Sequence, residues 1–225
     1  MKYLLANWKQ NMSIDEIKTW VDVFSSKVSQ DAYLKNKIII APTTLHISIL
    51  KNLLDKNGMG EKIVLASQDV SFFENGSHTG EVGAIQLKEF VKYSIIGHSE
   101  RRAIGETNET VNKKIAIAMQ NGINPIVCFS NKKEYLSIME SNIKESTDPI
   151  FLFEPLFAVG TGKPASVQDV INVHQDYANT EILYGGSVDK TNVLNYLTSS
   201  FIKGFGVGTA SLDPNGFADI ANTII

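Results

Sequence analysis

The stretch YLLANWKQNMSIDEIKTWVDVFSSKV, residues 3–28, contains the repeating unit that decides the fold. Its first four residues form a short apolar run, as expected of a strand that is buried on both faces. Apolar side chains then recur with helical spacing, at Ile14, Ile17, Val21, Phe24 and Val28. The tetrapeptide SIDE matches a capping box, so we expect this helix to start at Ser13. The stretch therefore predicts one strand followed by one helix.

The same pattern recurs along the rest of the chain. Seven further apolar runs predict strands, at residues 37–41, 63–68, 93–97, 125–129, 150–154, 181–185 and 201–207. A helical pattern follows each of these runs. The first ends near residue 55, and the others cover residues 83–90, 107–120, 132–144, 166–177, 189–197 and 216–224. Eight strand–helix units without a linker predict one α/β domain over residues 1–225, folded as a (β/α)8 barrel. A doubly wound open sheet is the alternative, but the number of units and the length favour the barrel.

Composition argues against several classes of protein. Of the 225 residues, 43% are hydrophobic, which suffices for a sizeable core, and the net charge of -3 does not favour nucleic acid or an anionic membrane as a partner. No run approaches the roughly 20 apolar residues of a membrane span. The single cysteine, Cys128, excludes an intrachain disulfide, and we expect a reducing cytoplasm. The scattered histidines and Cys128 form no metal-ligand pattern, so neither a metal nor a cofactor is predicted.

Barrels of this kind carry their chemistry just after the carboxyl ends of the strands. In this sequence those positions hold reactive side chains and glycines: Asn7, Lys9, His98, Glu100, Glu154, Gly186, Ser187, Gly208 and Thr209. Each of these residues, taken alone, also has an ordinary structural interpretation. A lysine there is often solvated, a histidine is often structural, and Glu154 could simply end a strand before Pro155. Their collection at one rim favours an active site.

The segment FEPLFAVGTGKPA, residues 153–165, raises the question of a nucleotide-binding P-loop, because it contains Gly-Thr-Gly-Lys. A P-loop requires G-x-x-x-x-G-K-[ST]. Phe157 stands at the position of the first glycine and Pro164 at that of the hydroxyl residue, so we exclude it. A proline-flanked segment with Gly160 and Gly162 instead predicts a hinged lid over residues 156–163.

Phosphate binding is predicted at the neighbouring loops. The sequence GGS follows the seventh predicted strand, and GT follows the eighth. Barrels of this class commonly hold phosphate after these two strands, and glycine lets the backbone approach the anion closely. These loops therefore predict a phosphate monoester as substrate, held without a dedicated metal.

Five motifs, in order across the whole chain, resemble those of the triosephosphate isomerase family: NWK, GHSERR, FEPLFAVGTGK, YGGSV and GVGTASL. The resemblance implies interconversion of dihydroxyacetone phosphate and D-glyceraldehyde 3-phosphate through an enediolate, in glycolysis and gluconeogenesis. Other possibilities are a barrel acting on a different sugar phosphate and a catalytically inactive barrel kept for binding. The set NWK, GHSE and Glu-Pro argues against the first, because merely holding phosphate requires none of it. Retention of Glu154, His98 and Lys9 argues against the second.

The resemblance also implies a role for each residue. Glu154 would be the base, a neutral His98 and Lys9 the electrophiles, Asn7 a polariser of the carbonyl, and Glu100 the partner that orients the lysine. Backbone groups of Gly160, Ser187, Gly208 and Thr209 would hold the phosphate. The sequence TGEVGA, residues 79–84, is similar to the dimer-interface loop of the family and implies a homodimer through Asn75–Glu81.

This chain departs from the usual family pattern at the base and the lid. Phe153 stands where a tyrosine is common before the base, and Phe157 where a tryptophan is common in the lid. The sequence CFSN, residues 128–131, replaces the usual Cys-x-Gly-Glu. We expect these changes to affect the motion of the lid more than the reaction.

Overall fold

The fold is a closed barrel of eight parallel strands in chain order, seen in a computed structural model that describes residues 1–140, 149–158, 161–175, 177 and 180–225. The strands are β1 Lys2–Asn7, β2 Asn36–Ala41, β3 Ile63–Ser67, β4 Tyr93–Ile96, β5 Asn124–Phe129, β6 Ile150–Phe153, β7 Ile182–Gly185 and β8 Ile202–Val207. Strand β8 returns to β1, with Tyr3 opposite Gly204 and Ala6 opposite Val207. This last pairing confirms the barrel and rules out the open sheet.

Helices cover the outside of the barrel. They are α1 Ile14–Lys27, α2 Gln30–Lys35, α3 Ile47–Lys56, α4 Ala84–Leu87, α5 Ser99–Ala103, α6 Asn108–Gln120, α7 Lys132–Glu140, α8 Val167–Gln175, α9 Val193–Tyr196 and α10 Pro214–Thr223. Short 3₁₀ helices occur at Thr44–His46 and Thr209–Leu212. Among the described residues, no helix is both long and apolar enough to cross a membrane.

The predicted start of α1 is confirmed. The Ser13 hydroxyl accepts the N–H of Glu16 at 3.3 Å, and the Glu16 carboxylate accepts the N–H of Ser13 at 2.7 Å. This reciprocal capping box satisfies two N–H groups that the first turn of a helix leaves without partners. Local sequence therefore fixes where the first unit changes from loop to helix.

Several predicted boundaries differ from the structure. Helix α2 was not predicted, because it buries only Ala32 and so has no apolar face to reveal it. The predicted helices at 83–90 and 189–197 are single turns, Ala84–Leu87 and Val193–Tyr196. The helix predicted over 132–144 is described only as far as Glu140, because its last residues lie outside the described residues.

The apolar side chains form two layers. One fills the inside of the barrel: Leu5, Ile39, Ala41, Ala66, Tyr93, Ile95, Ile126, Cys128, Leu152 and Leu183. The other packs the strands against the helices and centres on Trp20 of α1, whose ring lies 5.0 Å from Trp8 and 4.6 Å from Phe24. Because all eight strands run parallel, the residues at their carboxyl ends lie at one rim of the barrel.

Gly204 in β8 is expected to tolerate no side chain. A Cβ atom there would lie 1.9 Å from the carbonyl oxygen of Tyr3, in backbone that the β1–β8 pairing holds in place. Gly204→Ala should therefore lower the free energy of unfolding by more than about 2 kcal/mol, measured by urea denaturation. The neighbouring Lys203→Ala, which removes only a surface ion pair with Glu181, should cost under about 1 kcal/mol. Equal losses in the two variants would contradict the steric explanation.

Candidate active site

Most of the predicted site residues meet at one cavity. It has a volume of about 410 Å³ and lies at the carboxyl ends of the strands, lined by Asn7, Lys9, Glu154, Ser187, Gly208 and Thr209 among others. A cavity of about 430 Å³ lies at the opposite end of the barrel, lined largely by apolar residues such as Ile150 and Leu183. Because this second cavity contains none of the predicted site residues, the first one is the candidate active site.

Glu154 is held between the sheet and the cavity. It follows β6 directly, and its N–H still donates to the carbonyl of Phe129 in β5 at 2.9 Å. The side chain lies over Gly185, where a Cβ atom would approach the Glu154 carboxylate to 2.9 Å. The carboxylate is nearly buried, and its Oε2 accepts no hydrogen bond from the described residues. A buried carboxylate oxygen without a protein partner is rare, and this one remains free to accept a hydrogen bond from a ligand.

His98 caps the short helix α5 with its ring. Its Nδ1 accepts the N–H of Glu100 at 3.2 Å, so in the neutral ring the proton lies on Nε2. That Nε2 lies 3.3 Å from the Oε2 of Glu154 without the alignment of a hydrogen bond. In that tautomer the histidine places an N–H donor beside the carboxylate.

Lys9 reaches the cavity from an unusual backbone conformation. Its φ of 52° is uncommon for a residue with a side chain and must be held by its surroundings. The N–H of Lys9 donates to the Asn7 side-chain oxygen at 3.1 Å, and its carbonyl accepts from the Gln68 amide at 2.8 Å. Asn7 and Gln68 thus fix the lysine from both sides.

Gln68 is a residue of the site that sequence reasoning missed. Its amide also donates to the carbonyl of Ala41 at 2.9 Å, so it joins the loop after β1 to the end of β2. Its position, one residue after β3 at the carboxyl rim, is the feature that could have identified it.

Glu100 pairs with the lysine. Its Oε1 accepts from Lys9 Nζ at 2.6 Å, and its Oε2 lies 3.7 Å from His98 Nδ1. The carboxylate is more than half exposed, so the pair contributes mainly by orienting the ammonium group. The role of Glu100 in catalysis stays a prediction.

Ser187 links the predicted lid to the loop after β7. Its hydroxyl donates to the carbonyl of Ala158 at 2.8 Å and accepts the N–H of Gly162 at 3.1 Å. The sequence predicts only a backbone role for this serine, whereas its side chain also contacts the lid. Gly160, another predicted phosphate-binding residue, lies outside the described residues. Of the described residues in the predicted lid, Gly162 lines the cavity.

Cys128 lies inside the barrel close to Glu154. Burial first, and then the negative charge of Glu154, raise the pKa of this thiol well above its usual range. The group therefore remains a neutral thiol and adds no second charge beside the carboxylate. In the described residues, no group of three or more His, Cys, Asp or Glu side chains could hold a metal ion.

Barrels of this class place their chemistry at the carboxyl rim, and the acidic, basic and imidazole groups of this chain gather there. Fold and site together define an enzyme of the (β/α)8 barrel class. Residues 2–224 match the family model described as Triosephosphate isomerase. The chain belongs to the triosephosphate isomerase family.

Curated relatives named Triosephosphate isomerase match nearly the full length of the chain. The protein of Aquifex aeolicus (strain VF5) is 34% identical over 247 residues, which cover 97% of this chain and 98% of the relative. That of Dehalococcoides mccartyi (strain ATCC BAA-2266 / KCTC 15142 / 195) is 35% identical, covering 96% of this chain and 94% of the relative. That of Mycoplasma genitalium (strain ATCC 33530 / DSM 19775 / NCTC 10195 / G37) is 32% identical, covering 98% and 97%.

Proposed function

We propose that this protein interconverts dihydroxyacetone phosphate and D-glyceraldehyde 3-phosphate, as an isomerase of glycolysis and gluconeogenesis. The observation that carries the proposal is the pair formed by Glu154 Oε2 and His98 Nε2. The two atoms lie 3.3 Å apart, and both are buried without a hydrogen bond from the described residues. An acceptor and a donor left unpaired beside one cavity suit a substrate that gives up a proton while its carbonyl oxygen gains charge.

The forward reaction begins at the carbon next to the carbonyl of the ketone. The Glu154 carboxylate takes a proton from C1, and the electron pair moves to the carbonyl oxygen on C2 to give the enediolate. His98 Nε2–H and the Lys9 ammonium stabilise that oxygen, and Asn7 assists as a polariser of the carbonyl. Glu100 keeps the ammonium group in position through its 2.6 Å contact.

The second half of the reaction returns the proton to the neighbouring carbon. Glu154, now protonated, delivers it to C2, while the oxygen on C1 becomes the aldehyde carbonyl. His98 exchanges a proton between the two oxygens by acting as donor and acceptor at Nε2. The carboxylate is regenerated, so atoms and charge balance without an added reactant.

The phosphate of the substrate would lie at the other side of the cavity. Backbone N–H groups of Ser187, Gly208 and Thr209 are the proposed donors, together with that of Gly160. Support comes from the first three, which line the cavity after β7 and β8. Closure of the 156–163 lid would then exclude water from the enediolate.

An enzyme-coupled assay tests the function. Purified protein, checked for its fold by circular dichroism, should convert each triose phosphate into the other. Absence of turnover in both directions would reject the isomerase and leave a binding-only barrel. Turnover of another sugar phosphate, but of neither triose phosphate, would indicate the barrel that acts on a different sugar phosphate.

We also propose that residues 1–225 form one domain and that the protein acts in the cytoplasm. The closed barrel supports the first, since every strand pairs with two neighbours within one sheet. The second rests on the chain's single cysteine, which is buried and cannot form an intrachain disulfide.

A homodimer through the Asn75–Glu81 loop is proposed on the surface around α5. A cavity of about 400 Å³ there is lined by Val82 and Ile104, whose apolar side chains are exposed. The loop itself is compact, because His78 stacks on Phe73 with ring centroids 4.0 Å apart. Such a preformed loop loses little entropy on docking, so it suits insertion into the cavity of a second copy.

Ile104→Glu is expected to convert the dimer to a monomer. Ile104 is 74% exposed, and a carboxylate buried without a partner in the interface would cost several kcal/mol. Sedimentation velocity at micromolar concentration measures the change in mass. Leu194→Glu, on α9 across the barrel, introduces the same charge at an exposed leucine and should remain a dimer. A wild-type monomer with full activity would contradict the proposal.

A further inference from the structure

Two buried tyrosines meet beneath the point where the lid rejoins the barrel. Tyr184 in β7 is fully buried and Tyr196 in α9 nearly so, and their rings lie 4.5 Å apart. Burial is the first cause that raises the pKa of each phenol, so both hydroxyls stay protonated around neutral pH. Two hydroxyls kept neutral in an apolar layer require hydrogen-bond partners.

Both hydroxyls bind the same residue. The N–H of Ala165 donates to the Tyr184 hydroxyl at 2.9 Å, and the carbonyl of Ala165 accepts from the Tyr196 hydroxyl at 2.5 Å. The Tyr184 hydroxyl in turn donates to the carbonyl of Gly186 at 3.1 Å. Ala165 is thus held at both of its backbone polar groups, and it is linked to the loop that follows β7.

The position of Ala165 makes this clamp relevant to the lid. Ala165 lies three residues after Gly162, and the restricted φ of Pro164 reduces the freedom of the segment between them. Gly162 lines the cavity, and its N–H donates to the Ser187 hydroxyl at 3.1 Å. A displacement of Ala165 would therefore move Gly162 away from Ser187.

We propose that Tyr196 is a positioning residue for the lid: its hydroxyl fixes the Ala165 carbonyl and so holds residues 161–163 over the cavity. The proposal rests on the proposed isomerase function. Tyr196 contacts neither substrate nor reacting atoms, and it acts through Ala165. Its place on α9, outside the barrel, gives the sequence no motif by which to recognise this role.

Tyr196→Phe removes the donor and keeps the ring. The Ala165 carbonyl then lacks its buried partner, and opening the hinge lets water satisfy it. The net free energy contributed by one hydrogen bond corresponds to a change of about 3- to 10-fold in an equilibrium constant. We expect the affinity for 2-phosphoglycolate, measured by titration calorimetry, to weaken by this factor. KM should rise by a similar factor and kcat should change less.

A second readout reports on the lid during turnover. When the enediolate is exposed to water, its electron pair can re-form a C=O bond while the C–O bond to phosphate breaks. Inorganic phosphate leaves, and the remaining enol becomes methylglyoxal. Tyr196→Phe should raise the ratio of methylglyoxal to isomerised product about 3- to 10-fold. A purely structural loss of stability would leave this ratio unchanged.

A third readout needs no turnover. Phe157 is 63% exposed and is a site for chymotrypsin, so cleavage after it, identified by mass spectrometry, reports opening of the lid. In wild-type protein, 2-phosphoglycolate should slow this cleavage. In Tyr196→Phe the cleavage should be faster at subsaturating 2-phosphoglycolate, whether or not the protein proves to be an isomerase.

The matched control is Tyr135→Phe. Tyr135 is also buried, and its hydroxyl bonds that of Thr180 at 2.5 Å, away from the lid. This variant should match wild-type in affinity, product ratio and cleavage. If Tyr196→Phe behaves like Tyr135→Phe in all three, the proposed role of Tyr196 is wrong, although isomerase activity would stand. If wild-type shows no turnover, the isomerase proposal fails, while affinity and cleavage still test the proposed role of Tyr196.

Discussion

Glu154→Gln is expected to lower kcat by about 10³-fold or more while the barrel stays folded. General bases contribute roughly 10²- to 10⁴-fold, and in the proposed mechanism the same carboxylate is used in both proton transfers. Glutamine matches the shape of glutamate, so it fits over Gly185 and keeps the cavity. It has no carboxylate oxygen to accept a proton from carbon. The coupled assay measures kcat in both directions.

The control for this variant is Glu109→Gln, which removes an exposed carboxylate that pairs with Lys113 on α6. It should retain wild-type kcat. KM of Glu154→Gln should stay within a few-fold of wild-type, because Lys9 and the phosphate donors are untouched. Near-normal kcat in a folded Glu154→Gln protein would remove Glu154 from the role of base.

Lys9→Met is expected to reduce kcat/KM by at least about 10²- to 10³-fold, the usual loss on removing one donor from an oxyanion site. In the proposed mechanism the lysine supplies a positive charge beside the enediolate, and methionine keeps much of the aliphatic chain. The variant also leaves Glu100 without the ammonium partner that lies 2.6 Å away. Both kcat and KM should change, because the charge acts on substrate and transition state.

Lys203→Met provides the comparison, since Lys203 is likewise paired with a carboxylate, that of Glu181. It lines the cavity at the opposite end of the barrel and should keep wild-type kcat/KM. If both lysine variants were equally active, the charge of Lys9 would not contribute to the reaction.

The fold could be predicted because its signals are local and repeated. The capping box at Ser13 and the apolar runs act within a few residues, so each strand–helix unit can be recognised from its own stretch of sequence. Closure depends instead on the long-range pairing of β8 with β1, which only the count of units suggested. Helix α2 was not predicted because a helix with one buried residue shows no periodic pattern of apolar side chains.

In the candidate site, too, local features could be predicted and long-range contacts could not. Residues directly after strands could be predicted, because the fold assigns that rim to chemistry. Tyr196 could not, since it acts by a hydrogen bond to a backbone group distant in sequence. Gln68 directly follows β3, but its hydrogen bonds to the distant carbonyls of Lys9 and Ala41 could not be predicted from the sequence. The side-chain role of Ser187 was missed for the same reason, because its partners belong to the lid.

The interior position of Cys128 turns the chain's single thiol into a reporter of barrel opening. The side chain is 1% exposed and protonated, so an alkylating reagent reaches it only when the strands around it separate. The rate of alkylation then measures the frequency of that opening rather than the reactivity of the sulfur. A thiol reagent that spares the folded protein would record its unfolding rate under native conditions, including any change that a bound ligand causes.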